Sequence, residues 1–200
     1  MTAGASEVTT TGVFGGSFNP VHNGHIALAR EVVRQGLADR VMLVLSPLNP
    51  LKANSQALQP DSIRMEMLRL ACAPYPELEA SDIELSMPRP SYTIDTLHRL
   101  SQERPGEWFR LIIGADNWAI FNRWRASEEL LRDYSPIVYP RDDFPMPEDG
   151  SGATPLSSPL FPYSSTEVRN RLESGLPVNN MVAPEVLSYI KKHNLWKQTL

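Results

Sequence analysis

The stretch from Gly15 to His25, which has the sequence GGSFNPVHNGH, constrains the fold of this chain more than any other segment. β-Branched and aromatic residues precede it from Thr10 to Phe14, and apolar residues follow it at helical spacing from Ile26 to Val33. The first pattern is typical of a strand and the second is typical of a helix. We therefore predict a strand, a glycine-rich loop and a helix in direct succession.

The loop has the chemistry of an anion-binding site. Its adjacent glycines let a ligand approach the backbone N–H groups closely, and the first turn of the next helix leaves further N–H groups unpaired, which favours a phosphate. His22 and His25 can both point at one place above the helix end and donate hydrogen bonds to phosphate oxygens. A glycine pair or a histidine pair alone more often serves a turn or a metal site, but their combination between a strand and a helix is more specific.

The composition fits one globular domain that is not a general binder of polyanions. The chain has 200 residues, 42% of them hydrophobic, and its 18 prolines indicate long irregular connections. Its net charge of −4, with no basic run longer than Lys191–Lys192, argues against general binding of nucleic acid or anionic membranes. The only cysteine, Cys72, lies in an apolar helical segment, so we expect a core residue and no disulfide within the chain.

The sequence contains neither a signal-peptide pattern near its start nor an apolar run of membrane-spanning length. We therefore expect a cytoplasmic protein. Within it we expect a loose N-terminal segment over residues 1–11 and a single domain over residues 12–200.

Strand and helix patterns alternate along the chain, which predicts an α/β domain with a mainly parallel sheet. Further strands are predicted over Val41–Leu45, Leu78–Leu85, Trp108–Ile113 and Pro136–Tyr139, further helices after a cap at Asp61 or Ser62 and over Ser91–Leu100 and Ser127–Leu131, and a surface loop between Pro140 and Pro162. Ligands of such sheets bind beyond the carboxyl ends of the strands, where the strand order reverses. If the first strand and the Trp108 strand are neighbours, Gly15–His25 and Gly114–Trp118 face one crevice.

A second helix N-terminus with phosphate-binding character is predicted late in the chain. Ser164 and Glu167 have the spacing of a capping box, and Arg169 lies within reach of the free N–H groups of the helix that follows. A well-capped surface helix is the structural alternative. A phosphate site would gain a charge-assisted hydrogen bond from Arg169.

The chain resembles the nucleotidyltransferase superfamily, whose signature G-[ST]-F-[DN]-P-x-H-x-G-H matches Gly16 to His25 throughout. Residues 163–169 are similar to the second signature, [IT]-S-S-T-x-[IV]-R. The resemblance implies a Rossmann-like, doubly wound fold with helices on both faces, and it makes residues 12–200 a nucleotidyltransferase domain. It also implies catalytic roles for His22, His25 and Arg169. The implied ATP-binding residues are Gly15, Gly16, Ser17, Phe18, His22, His25, Ser164, Ser165, Thr166 and Arg169.

Segments in the middle of the chain resemble the nicotinate-nucleotide adenylyltransferases, namely Pro90–Thr96, Ile112–Asp116 and Trp124. The resemblance implies that Trp124 stacks on the pyridine ring, that Thr93 lies near the nicotinate carboxylate and that Asp116 holds the nucleotide. Structural roles are the alternatives: core or interface for Trp124, and helix capping for Thr93 and Asp116. Many members carry Pro-Pro-His-Lys where this chain has Asn49–Lys52, in which Lys52 remains available to bind the nucleotide.

The reaction implied by this resemblance is transfer of the adenylyl group of ATP to nicotinate mononucleotide, giving nicotinate adenine dinucleotide and pyrophosphate in NAD biosynthesis. The substrate phosphate is the nucleophile, so no activated serine or cysteine is required. We expect Mg²⁺ to arrive on the ATP phosphates, because the sequence contains no cluster of carboxylates of the kind that forms a protein metal site.

Other substrates and another class of protein remain open. The alternatives are an adenylyltransferase for nicotinamide mononucleotide or phosphopantetheine and, in a different class, a non-catalytic nucleotide-binding regulator. The expected partners are ATP and nicotinate mononucleotide, without nucleic acid or membrane, and homo-oligomer formation stays open.

Overall fold

The strands of the protein form a single sheet in which every pairing is parallel. The structure, a computed structural model, describes residues 8–47 and 58–196. In these ranges the strands are β1 (Thr9–Gly16), β2 (Arg40–Leu45), β3 (Leu78–Ser81), β4 (Glu107–Gly114), β5 (Ile137–Tyr139) and β6 (Thr154–Pro155). Their order in the sheet is β3-β2-β1-β4-β5-β6.

Helices cover both faces of this sheet. They are α1 (Asn23–Arg34), α2 (Asp61–Cys72), α3 (Thr93–Glu103), α4 (Ala115–Trp118), α5 (Ser127–Tyr134), α6 (Ser165–Glu173) and α7 (Pro184–Lys192). Side chains of α1, α2, α6 and α7 share one hydrophobic core, and side chains of α3, α4 and α5 share the other. The predicted doubly wound α/β fold is confirmed. None of the helices in the described part of the chain is long and apolar enough to cross a membrane.

The register of the sheet explains the continuous apolar run in β2. Met42 and Val44 point into one core and Val41, Leu43 and Leu45 into the other, and all five side chains are fully buried. A strand between two helical layers has no solvent-facing side, so its sequence shows no alternation. The prediction of a strand buried on both faces is confirmed here, as is the burial of Cys72 in the core.

The strand order reverses between β1 and β4, which are hydrogen-bonded neighbours with Phe14 opposite Ile112. β2 and then β3 follow β1 toward one edge of the sheet, and β5 and then β6 follow β4 toward the other edge. The loop after Gly16 and the turn after Gly114 therefore start from adjacent strand ends. This arrangement, which the predicted crevice required, is the switch point at which such sheets bind ligands.

The segment predicted as one strand over Leu78–Leu85 is divided, and this prediction was wrong in its second half. β3 ends at Ser81, and residues Ile83–Ser86 form a 3₁₀ helix. Pairing with β2 stops at Val44 opposite Ser81. The Glu84 carboxylate then accepts a hydrogen bond of 2.9 Å from the Thr96 hydroxyl, which ties this turn to α3.

Other boundaries also differ from the predicted ones. Pro60, and not Asp61 or Ser62, is the N-cap of α2, since the helix already begins at Asp61. The Asp61 carboxylate instead accepts a hydrogen bond of 2.5 Å from Arg64 Nη2. Inside the predicted Pro140–Pro162 loop, β6 pairs with β5, since Thr154 N donates to Pro136 O at 2.8 Å. β1 already begins at Thr9, while residues 1–7 of the predicted loose N-terminal segment lie outside the described residues.

Candidate active site

The loop between β1 and α1 has an open backbone above a buried aromatic base. Gly15 and Ser17 are exposed, and a Cβ added to Gly15 would meet nothing within 4 Å. A Cβ on Gly16 would approach the Phe18 ring to 3.0 Å. Phe18 adopts a positive φ of 42° and is 1% exposed, so its ring packs into the interior beneath the loop.

The two histidines of the loop stack on each other, with ring centroids 3.7 Å apart and an angle of 26° between the planes. His25 Nδ1 accepts a hydrogen bond of 3.2 Å from the backbone N–H of His22. An Nδ1 that accepts carries no proton, so a neutral His25 holds its proton on Nε2. The edge of Phe18 packs against the His25 ring at 5.0 Å between centroids and fixes its position.

Both imidazoles are neutral at pH 7. Burial and the nearby Arg141 guanidinium lower the pKa of His22 to about 4. Burial, His22 and Arg141 hold the pKa of His25 well below its ordinary value of 6.5. Each ring can therefore donate one N–H to a ligand without bringing a charge of its own.

The histidine pair faces a cavity of about 250 Å³, named here the histidine cavity. Its lining includes His22, His25, Tyr139, Arg141, Phe161 and Tyr163. The Arg141 guanidinium lies over the Tyr139 ring at 5.2 Å from its centroid and brings a positive charge to this cavity. Gly24 also lines it, where a Cβ would lie 3.0 Å from His22 Nδ1. The histidine cavity thus combines neutral donors with one cation, Arg141, and one carboxylate, Asp142.

A second cavity of about 200 Å³, named here the tryptophan cavity, lies beyond the ends of β1 and β4. Its lining includes Gly15, Glu84, Thr93, Asn117, Trp124 and Tyr139. Thr93 is the first residue of α3, with Tyr92 as the N-cap, and Trp124 directly follows a 3₁₀ helix over Phe121–Arg123. Tyr139 lines both cavities, so the two are neighbours with this side chain as their shared wall.

Asp116 lies in the first turn of α4, between Gly114 and Asn117, which line the tryptophan cavity, but it is not among the described residues that line either cavity. Its carboxylate Oδ1 is 3.9 Å from Arg141 Nε and has no hydrogen-bond partner among the described residues. A Cβ added to Gly114 would come within 2.3 Å of the same oxygen, so the strand end must be glycine for this rotamer. The Asp116 carboxylate is therefore held close to the Arg141 guanidinium at the carboxyl end of β4.

The N-terminus of α6 packs against the histidine loop. Ser165 Oγ donates to Pro20 O at 2.9 Å, and Arg169 Nη1 donates to Asn19 O at 2.8 Å. Ser164 Oγ caps the helix by accepting from Glu167 N at 3.1 Å, as the spacing predicted.

The structure thus brings the early and late segments of the chain together. Arg169 Nη2 also donates to Thr166 Oγ1 at 3.1 Å. Tyr163 reaches the histidine cavity, but residues 164–169 are not among the described residues that line it.

Several residues at these cavities were not identified from the sequence. Tyr139 ends β5, and Arg141 and Glu84 follow the ends of β5 and β3. The rule that ligands bind at carboxyl strand ends, which pointed to Gly114–Trp118, could also have found these positions. Glu84 is 9% exposed, and burial raises the pKa of its carboxyl group.

One predicted residue, Lys52, lies outside the described residues. Within the described ranges no group of histidine, cysteine or acidic side chains is arranged to hold a metal ion.

Comparison with known proteins gives consistent matches along the chain. Residues 13–171 match the family model described as cytidylyltransferase-like. A relative from Bacteroides thetaiotaomicron named "Probable nicotinate-nucleotide adenylyltransferase" is 42% identical over 195 residues, which cover 96% of each chain. A relative of the same name from Bacteroides fragilis is 43% identical and covers 91% of each chain.

A similar fold is found among solved structures. The nicotinic acid mononucleotide adenylyltransferase of Plasmodium falciparum, solved in complex with NaAD, superposes with a TM-score of 0.72. It is 19% identical, and the match covers 94% of this chain and 97% of the other.

Proposed function

The chain belongs to the cytidylyltransferase-like family and, within it, to the nicotinate-nucleotide adenylyltransferases, and from this membership we propose its reaction. The protein transfers the adenylyl group of ATP to nicotinate mononucleotide. The products are nicotinate adenine dinucleotide and pyrophosphate, and the reaction is a step of NAD biosynthesis.

The observation that carries the proposal is the meeting of two cavities at the sheet switch point, one with paired histidines and one with a tryptophan. We assign ATP to the histidine cavity, where the N-terminus of α1 and Arg141 favour phosphate. We assign nicotinate mononucleotide to the tryptophan cavity. The reacting phosphates would then meet near Tyr139, which lines both.

In the reaction, a phosphate oxygen of nicotinate mononucleotide attacks the α-phosphorus of ATP. A new P–O bond forms, the bond from the α-phosphorus to its bridging oxygen breaks, and pyrophosphate leaves with the electron pair. The nucleophile is already an anion, so positioning and charge stabilisation are the tasks left to the protein. We assign the N–H groups of His22 and His25 to the oxygens that gain charge.

We propose that Arg169 binds the β and γ phosphates of ATP together with Ser164, Ser165 and Thr166. The Arg169 guanidinium donates to the backbone carbonyl of Asn19, which lies in the loop between β1 and α1. The loop residues Gly15, Gly16, Ser17 and Phe18 would contribute backbone N–H groups.

On the nicotinate side, we propose that Trp124 stacks on the electron-poor pyridine ring, an arrangement that aromatic faces favour. Thr93, at the start of α3, would offer its hydroxyl and the helix N-terminus to the nicotinate carboxylate. Asp116 would accept a hydrogen bond from the nucleotide, and Lys52 would contact its phosphate.

Mg²⁺ would reach the site as part of the ATP substrate, since it prefers water and phosphate oxygens to a cage of protein ligands. We also propose that the protein works in the cytoplasm without nucleic acid.

The function is tested by incubating the protein with ATP and Mg²⁺ plus nicotinate mononucleotide, nicotinamide mononucleotide or phosphopantetheine in parallel, and measuring pyrophosphate. We expect the fastest release with nicotinate mononucleotide, together with formation of nicotinate adenine dinucleotide. Faster release with either other acceptor would replace the proposed substrate. ATP binding without pyrophosphate release would instead indicate a nucleotide-binding regulator.

A further inference from the structure

Arg64 lies in the interior of the protein with a fully buried side chain, although it belongs to helix α2. A buried cation is strongly unfavourable unless its N–H groups find hydrogen-bond acceptors. Most of the acceptors around Arg64 are backbone carbonyl groups, those of Ser17, Ser46 and Gln59. Through these hydrogen bonds the guanidinium connects three segments: the loop after β1, the residue that follows β2, and the residues directly before α2.

The Arg64 guanidinium donates four hydrogen bonds from its planar fork to described residues. Nη1 donates to Ser17 O and, at 3.1 Å, to Ser46 O. Nε donates to Gln59 O at 3.0 Å, and Nη2 donates to Asp61 Oδ1 at 2.5 Å. A lysine has a single ammonium group and cannot make this set of bonds from one position.

These bonds set the direction of the loop N–H groups. In a trans peptide the carbonyl and the next N–H point in opposite directions, so a Ser17 carbonyl bonded to Arg64 directs the Phe18 N–H away from it. The Gly16 carbonyl accepts from Ser46 N at 2.9 Å, which directs the Ser17 N–H away from β2. Successive N–H groups held in this manner form an anion-binding backbone.

An ion pair also holds the Arg64 guanidinium in place. Within the described residues its ion-pair partner is Asp61, which Arg89 Nη2 also contacts at 3.3 Å. The Arg64 side chain is fully buried, whereas that of Arg89 is 42% exposed, so the two partners of Asp61 lie in different environments. The carboxylate therefore fixes the direction of the Arg64 fork, and Arg89 contacts it from the surface.

We propose that Arg64 is a positioning residue for the triphosphate of ATP, which acts through the Ser17–Phe18 peptide and does not touch the substrate. This inference rests on the proposed function, because it concerns the ATP site of that reaction. Replacing Arg64 therefore weakens ATP binding more than replacing a buried arginine that only stabilises the fold.

Arg110 provides a matched control. Its side chain is partly buried and, like that of Arg64, donates to backbone carbonyls, at 3.1 Å to both Leu37 O and Ser135 O. These acceptors precede β2 and β5, at the amino ends of the strands, opposite to the loop between β1 and α1. We compare Arg64→Lys with Arg110→Lys, after circular dichroism has shown that both fold. KM is measured for ATP and for nicotinate mononucleotide, and ATP affinity is measured by calorimetry.

For Arg64→Lys we expect KM and Kd for ATP to rise by about 10-fold or more, as expected for the loss of hydrogen bonds to a charged group, with a smaller change in the KM of nicotinate mononucleotide. Arg110→Lys should lower the melting temperature and leave ATP affinity unchanged. Equal ATP affinities in the two variants would overturn the inference.

A second pair of variants serves if Arg64→Lys does not fold. Asp61→Asn loosens the guanidinium but keeps its carbonyl bonds, so we expect ATP affinity to fall by roughly threefold, a fraction of a full charge-assisted bond. Arg89→Gln removes the other partner of Asp61 and should leave ATP affinity unchanged. An identical response of both variants would reject the positioning role.

Failure of the proposed reaction can be distinguished from failure of the inference about Arg64. A wild-type protein that releases no pyrophosphate with any acceptor would reject that function. Calorimetry with ATP alone would still compare Arg64→Lys with Arg110→Lys, because it needs no turnover.

Discussion

At the scale of single residues, His25 is a hydrogen-bond donor whose orientation is fixed before substrate arrives. The backbone N–H of His22 occupies Nδ1 of His25, and the Phe18 edge holds its ring in place. Only Nε2 is left to meet a phosphate oxygen. A donor that needs no reorientation in the transition state is the kind that contributes most to catalysis.

Replacing His25 by alanine should reduce turnover by an amount that corresponds to about 2–4 kcal/mol of barrier, the scale of a lost transition-state donor. Steady-state pyrophosphate release measures the effect, and circular dichroism checks the fold. His98→Ala is the control, since His98 pairs with Glu129 on the surface between α3 and α5. Near-normal turnover in a folded His25→Ala protein would exclude the catalytic role.

Trp124→Ala should raise KM for nicotinate mononucleotide by roughly 5- to 100-fold and leave KM for ATP nearly unchanged, because stacking a base on an aromatic side chain contributes about 1–3 kcal/mol. Trp108→Ala provides the comparison, because Trp108 is 47% exposed near the start of β4, away from both cavities. If both tryptophan variants bind the mononucleotide alike, Trp124 has a structural role only.

At the scale of secondary-structure elements, the sequence predicted those whose residues carry their own signal. The apolar run of β2 and the glycine-rich loop before α1 are examples, since the first is typical of a strand buried on two faces and the second lies directly between a strand pattern and a helix pattern. β6 was missed, because Thr154–Pro155 is short and contains proline, and only its pairing with β5 makes it a strand. The side chain of Phe18 likewise turned out to be buried, which the loop motif alone does not indicate.

Helix α6 is expected to contribute to ATP binding through Arg169 and to a smaller degree through its other side chains. Arg169→Ala should raise KM for ATP by about 10- to 100-fold, the range for a hydrogen bond to a charged group. Arg171→Ala is a control on the same helix, since Arg171 donates to Pro177 O on its other side. Comparable ATP constants for the two variants would place Arg169 outside the site.

At the scale of the whole molecule, the buried histidines connect the site to global stability. The pKa of His22 is about 4 in the folded protein and ordinarily 6.5. Between these values the unfolded chain takes up a proton that the folded protein does not bind. The stability that His22 provides is therefore fully present above pH 6.5 and is lost as the pH falls toward 4.

We expect the free energy of unfolding to fall by up to about 3 kcal/mol from His22 alone over this pH range. His25 acts in the same direction, whereas the raised pKa of Glu84 acts in the opposite one. Denaturant titrations at several pH values, compared between wild type and His22→Asn, isolate the histidine contribution. An equally steep loss in the variant would contradict the assignment.

Whole-molecule architecture was the most predictable level, and the finer layout of the site the least. Alternating strand and helix patterns predicted the parallel α/β sheet, whereas the neighbouring positions of β1 and β4, which the predicted crevice required as a condition, were established by the structure. The sequence patterns could not reveal that Tyr139 lies between the histidine cavity and the tryptophan cavity, or that Arg64 lies beneath the loop after β1. Both positions depend on contacts between segments that are far apart in sequence.

The shared wall at Tyr139 has a consequence for chemical inhibition of the protein. Small fragments that fill one pocket each could be found independently and then joined by a linker that passes this ring. Joining them makes the second binding event intramolecular, so the linked compound would bind more tightly than either fragment.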